Sequence, residues 1–74
     1  MIASLTWQPA DSDQPETVTV DMPADWIAEL QRLIDARHNF GDAVAWIPVR
    51  DTTGAYTPRL FRLARILTAT EGAR

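Results

Sequence analysis

Residues 57–67 read Thr57-Pro58-Arg59-Leu60-Phe61-Arg62-Leu63-Ala64-Arg65-Ile66-Leu67, and the period assigned to them decides the fold. At helical period, Leu60, Leu63, Ala64 and Leu67 share one face, while Arg59, Arg62 and Arg65 fall within roughly 120° of arc on the other. At strand period, Arg62 points one way and Arg59 and Arg65 the other, each among apolar neighbours. The helical reading separates charge from apolar surface better. Thr57-Pro58 suits an N-cap and first helical position, and arginine, leucine and alanine are strong helix formers. A C-terminal helix is therefore expected, with a strand as the alternative.

The preceding segment, residues 43–50 (AVAWIPVR), reads as a strand that is apolar on both faces apart from its last residue. Asp51-Thr52-Thr53-Gly54 fits a type I turn followed by a glycine bulge, so a hairpin is expected, with Tyr56 and Thr57 beginning its return. Pro48 and Pro58 cannot donate to a ladder, which pushes both strands of this hairpin towards the sheet edge. Burying Ala45, Ile47 and Val49 turns Val44 and Trp46 outward.

Residues 23–38 switch to helical period. Met22 precedes a proline and suits the N-cap, which places Pro23 at the first helical position. Trp26, Ile27, Leu30, Leu33 and Ile34 form the apolar face, and the helix is expected to run to about Asn39, with Gly41 breaking it. Upstream, Ala3, Leu5 and Trp7 alternate with polar residues, as do Val18, Val20 and Met22. The intervening PADSDQPE is a solvated loop, so these two strands form a first hairpin. Leu30, Leu33 and Ile34 are expected to pack on Leu5, Val18 and Val20. The expected architecture is α+β: a small antiparallel sheet from two hairpins in ββαββ order, with a central helix and a C-terminal helix on one face.

The length of 74 residues allows one domain, residues 1–74, with a thin core. Cysteine is absent, which excludes disulfides, thiolate metal sites and thiol nucleophiles. The single histidine, His38, lies at a helix end, and no serine or carboxylate spacing makes a triad legible, so an enzyme is not expected. Asp11, Asp13 and Glu16 do not follow the pattern of a calcium loop, and the three glycines are too scattered to cradle phosphate. Neither a cofactor nor a metal is expected. The longest apolar run, residues 43–49, is far shorter than the ~20 residues of a membrane span. No secretory signal is visible, so a cytoplasmic location away from membranes is expected. All the basic residues are arginine, which suggests a GC-rich coding sequence and leans towards a bacterial or phage source.

Charge is uneven. Residues 1–36 carry one arginine against seven acids, net -6, and residues 37–74 carry six arginines against three acids, net +3. The acidic part, around Asp25 and Glu29, is a candidate docking face for a basic partner. Arg59, Arg62 and Arg65 are the candidate contacts to phosphate, although the net charge of -3 disfavours nucleic acid. An outward Trp46 beside Val44, rimmed by Arg50 and Tyr56, is the candidate apolar anchor for a protein partner. In size, acidity and lack of motif the chain is similar to small inhibitors encoded by phages, such as anti-CRISPR proteins. That resemblance implies a non-enzymatic module from a phage or mobile element that blocks a surface of a larger protein. A small nucleic-acid-associated regulator and a structural subunit of a larger assembly are the alternatives, and a second copy of the chain is an alternative partner.

Overall fold

The computed structural model describes residues 1–72. Its elements in chain order are β1 (Ile2–Trp7), β2 (Glu16–Asp21), α1 (Ala24–Asp35), β3 (Val44–Arg50), β4 (Tyr56–Arg62), a 3-10 turn (Leu63–Arg65) and β5 (Ile66–Glu71). The protein is α+β, with one five-stranded antiparallel sheet in the order β4-β3-β2-β1-β5 and one helix.

The C-terminal segment departs from the expected helix. Residues 57–62 complete β4, and the chain then makes a single 3-10 turn and returns as β5 along β1. Two short strands separated by three turn residues imitate helical spacing, because the turn resets the alternation between them. The expected apolar face is largely surface: Leu60 and Leu67 are exposed and Leu63 is only half-buried. Phe61, Ile66 and Ala69 are the buried positions. Phe61 sits opposite Ala45 across the β3–β4 ladder, and Ala69 opposite Leu5. Those pairings satisfy the backbone and bury a phenylalanine that the helical reading left off its apolar face.

The first hairpin forms as expected, with Leu5 opposite Val18 and Ala3 opposite Val20. The second hairpin closes on Asp51–Gly54: Gly54 N–H donates to Asp51 O at 3.1 Å and Asp51 N–H to Ala55 O at 2.8 Å, with Gly54 at φ +88°. A positive φ there is what the bulge requires and what glycine supplies without strain. Asp51 also receives the Thr53 N–H at 2.8 Å, the Thr53 hydroxyl at 2.6 Å and the Ala55 N–H at 3.1 Å on one carboxylate oxygen. These donors, the Thr53 hydroxyl foremost, hold the carboxyl below its ordinary value near 3.8. Because folding lowers this pKa, the carboxylate stabilises the fold above pH 3.8, and that contribution is lost as pH falls through the folded value. Asp51→Ala should melt below the parent at neutral pH, with the gap narrowing as pH falls below 3.8. A gap that stays constant across a pH series of thermal melts contradicts this.

Proline placement corrects one expectation. β4 is an edge strand, but β3 lies inside the strand order. Its pairing with β2 is confined to Val20 and Val49, so Pro48 sits where that ladder stops and breaks little of it.

The helix is one turn shorter than expected. Pro23 is its N-cap, accepting from the Trp26 and Ile27 N–H groups. The helix stops at Asp35, because Arg37 takes φ +55° and the His38 and Arg37 N–H groups donate back to Leu33 and Ile34. This is a Schellman closure made by an arginine and not by a glycine. Ile27 and Leu30 are buried, Leu33 and Ile34 are half-buried, and Trp26 is exposed, contrary to its place on the expected apolar face.

Ile27 and Leu30 join Leu5, Val20, Ile47 and Phe61 in one core cluster on the inner face of the sheet. Gln31 Nε2 donates to Ala69 O, so the helix covers the outer edge of β5. The sheet curls strongly. Trp7 on β1 meets Phe61 on β4 edge-on at 5.0 Å between ring centroids, although three strand spacings in a flat sheet span ~14 Å.

Candidate protein-binding surface

The turn at Asp51 sets which side chains leave the core. With Asp51 and Ala55 hydrogen-bonded, Arg50 faces Tyr56, Pro48 faces Pro58, Trp46 faces Leu60, and Val44 faces Arg62. All eight side chains lie on the outer face of the β3–β4 hairpin, because Ile47, Val49 and Phe61 occupy the inner one. The helix packs on the inner face, and no element among the described residues covers the outer face. Trp46 is 68% exposed, Val44 51% and Leu60 48%. Trp46, Val44 and Leu60 thus form a contiguous apolar strip, with the two facing prolines extending it towards Arg50 and Tyr56. Leu60 belongs to this strip but was missed in the sequence, because the helical reading assigned it to a buried face. Its place follows from the hairpin register once Trp46 is known to face out.

The strip continues in both directions. Trp26, 54% exposed at the start of α1, shares a shallow depression of about 140 Å³ with Trp46 and Pro48. At the other end, a groove of about 460 Å³ runs between Val44 and Leu60 on one side and Trp7 at the end of β1 on the other. The indole Nε1 of Trp7 is buried, with no hydrogen-bond partner among the described residues.

The three candidate phosphate contacts do not form a stripe. Arg59 shares the face of Ile47, and its guanidinium lies 5.1 Å from the Trp7 ring centroid and 5.9 Å from that of Phe61. That placement is a cation–π lid over the rim of the core. Arg62 points out beside Val44, and Arg65 belongs to the 3-10 turn, where its carbonyl accepts the Gln8 N–H at 2.9 Å. Only Arg62 and Arg65 come together, both lining the groove beside Leu60.

Asp25 and Glu29 line a different groove, of about 470 Å³, between α1, Phe40 and Leu63. Glu29 is engaged by the Arg32 guanidinium at 2.6 and 3.1 Å, and that hydrogen bonding holds its carboxyl below the usual glutamate range. A carboxylate already paired on its own helix offers less to a basic partner, and the exposed pair itself adds little stability. Asp25 accepts from the Trp26 N–H in the first helical turn. Among the described residues, no three histidine or carboxylate side chains converge as metal ligands, and no helix is long and apolar enough to cross a membrane. His38 stacks edge-on against Phe40 at 5.2 Å between centroids. Compared with known protein families, curated proteins and solved structures, the chain gives no match.

Proposed function

We propose that the chain is a non-enzymatic protein-binding module, an inhibitor or adaptor that covers a surface of a larger protein through the outer face of the β3–β4 hairpin. The observation that carries this reading is Trp46, an indole two-thirds exposed on a sheet face that no other element among the described residues covers, with Val44 and Leu60 beside it. Exposed tryptophans flanked by arginine and tyrosine are the residue types that dominate binding energy at protein interfaces. Arg50, Arg62 and Arg65 rim the strip, and among the described residues none of them is in an ion pair. The complementary partner surface is an apolar cleft with an acidic margin. An inhibitor of the kind encoded by phages or mobile elements is the form of this reading suggested by the small size and the net charge of -3.

The test pairs folding with binding. Trp46→Ala should melt close to the parent, because the side chain makes little of the core. It should also weaken the complex by at least about 2 kcal/mol, some 30-fold in Kd. Capture of the partner from source-cell lysate on immobilised parent and variant, followed by calorimetry with the purified partner, reads both effects. Unfolding of Trp46→Ala, or normal binding by a folded Trp46→Ala, overturns the anchor. In the second case the Asp25–Glu29 groove is the next surface to test.

A further inference from the structure

The open edge of β4 carries chemistry that the Trp46 strip does not use. Counted from the Asp51–Ala55 hydrogen bond, Thr57, Arg59 and Phe61 direct their backbone groups to β3, and Leu63 continues this by donating to Ala43 O at 3.0 Å. Tyr56, Pro58, Leu60 and Arg62 therefore direct theirs away from the sheet. β4 ends the strand order. Among the described residues, no turn, loop or side-chain hydrogen bond reaches the backbone of Leu60 or the N–H of Arg62, whose carbonyl caps the 3-10 turn. Pro58 lacks an N–H, so the open donors are confined to Leu60 and Arg62 on this side of it. An unpaired edge of this kind is a template for a further strand.

The groove of about 460 Å³ is lined by Leu60 and Arg62 of this strand. Leu60, Val44 and Trp7 supply apolar wall, Arg62 and Arg65 supply charge, and among the described residues no carboxylate lines it. The Trp7 indole Nε1 is buried, with no hydrogen-bond partner among the described residues. We infer that this groove takes an extended acidic segment of a partner protein, which adds to β4 as a sixth strand. The inference rests on the protein-binding reading above and specifies the chemistry of the partner at this end of the surface. A segment of about five residues spans the two open positions at ~3.3 Å per residue. Its backbone bonds to Leu60 and to the Arg62 N–H, its carboxylates meet Arg62 and Arg65, and its alternate apolar side chains lie on Leu60.

A second copy of the chain fits this edge poorly. Residues 56–62 hold no carboxylate, so twofold pairing of β4 with itself gives Arg62 no acidic counterpart on the paired strand. Nucleic acid would leave the Leu60 and Arg62 ladder groups without their natural partner, and it would meet a chain of net charge -3.

The experiment titrates the folded protein with a synthetic hexapeptide alternating glutamate and valine, its lysine–valine counterpart, and a single-stranded oligothymidylate. Backbone amide shifts and hydrogen exchange report the site. The acidic peptide should bind saturably, slow exchange at the Leu60 and Arg62 amides, and move the Trp7 indole signal. The double variant Arg62→Glu/Arg65→Glu should lose about ten-fold or more in affinity. Leu60→Pro, which removes one outward N–H, should lose about ten-fold more affinity than Leu60→Ala, which removes the same apolar wall and keeps the N–H. Each variant is first matched to the parent by thermal melting. Trp46→Ala should bind the peptide as the parent does, which separates this site from the anchor. If no peptide binds while a Trp46-dependent complex persists, strand addition falls and the docking face stands. Equal binding of the lysine peptide, indifference to the arginine reversals, or tighter binding of the oligonucleotide overturns the inference.

Discussion

Phe61→Ala is expected to cost about 3–5 kcal/mol, the range for removing a buried aromatic ring from a packed core. Phe61 is 1% exposed and is among the largest fully buried side chains. It packs edge-on against Trp7 at 5.0 Å, and the Arg59 guanidinium lies 5.9 Å from its ring. Its removal strips the contact that holds β4 against the curled end of β1. At about 0.05–0.15 kcal/mol per residue, a chain of 74 residues has roughly 4–11 kcal/mol of stability in total. The variant should therefore populate the unfolded state substantially at room temperature. Urea denaturation followed by tryptophan fluorescence reads this as a large fall in midpoint. Phe61→Leu, which keeps most of the volume, should recover more than half of the loss. A Phe61→Ala midpoint near that of the parent would mean that β4 does not seat its alternate residues in the core.

The second large effect separates two positions on α1. Ile27→Ala should cost about 2–5 kcal/mol, whereas Leu33→Ala should cost less than about 2. Ile27 is fully buried among the inner sheet residues, while Leu33 is half-buried beside the Phe40–Leu63 groove. The helical periodicity ranked the two alike, because both lie on the same apolar stripe. The structure separates them because the stripe is wider than the sheet surface it covers. Equal denaturation midpoints for the two variants would place the helix in a different rotation from the one described.

Much of the candidate surface was legible. Alternation along β3 placed Val44 and Trp46 on one face and Ala45, Ile47 and Val49 on the other, and the Asp-Thr-Thr-Gly turn fixed the strand opposite. Both are local facts, one set by the two-residue period of a strand and the other by the need for a positive φ at a bulge. Leu60 and the open edge of β4 were not legible, because they depend on how residues 57–67 are assigned. At the sequence level that assignment favoured propensity and charge separation, which are worth tenths of a kcal/mol per residue. In the fold it is decided by burying Phe61 and pairing two strands, terms worth several kcal/mol.

Composition by itself excluded disulfides and thiol chemistry, and local pattern determined the first hairpin, the second turn and a helix that contains the observed one and overruns its end by about a turn. Tertiary structure alone decided that the C-terminal segment is two strands about a 3-10 turn, that β3 lies inside the strand order, and that Arg59 leaves the other arginines to cover Trp7 and Phe61. The division follows from range. Turns, caps and alternation are settled by residues within a few positions of one another, so they appear in the chain as written. Strand order, sheet curl and the grouping of side chains into a surface depend on partners as distant as Trp7 and Phe61, and those contacts exist only once the sheet has closed around its core.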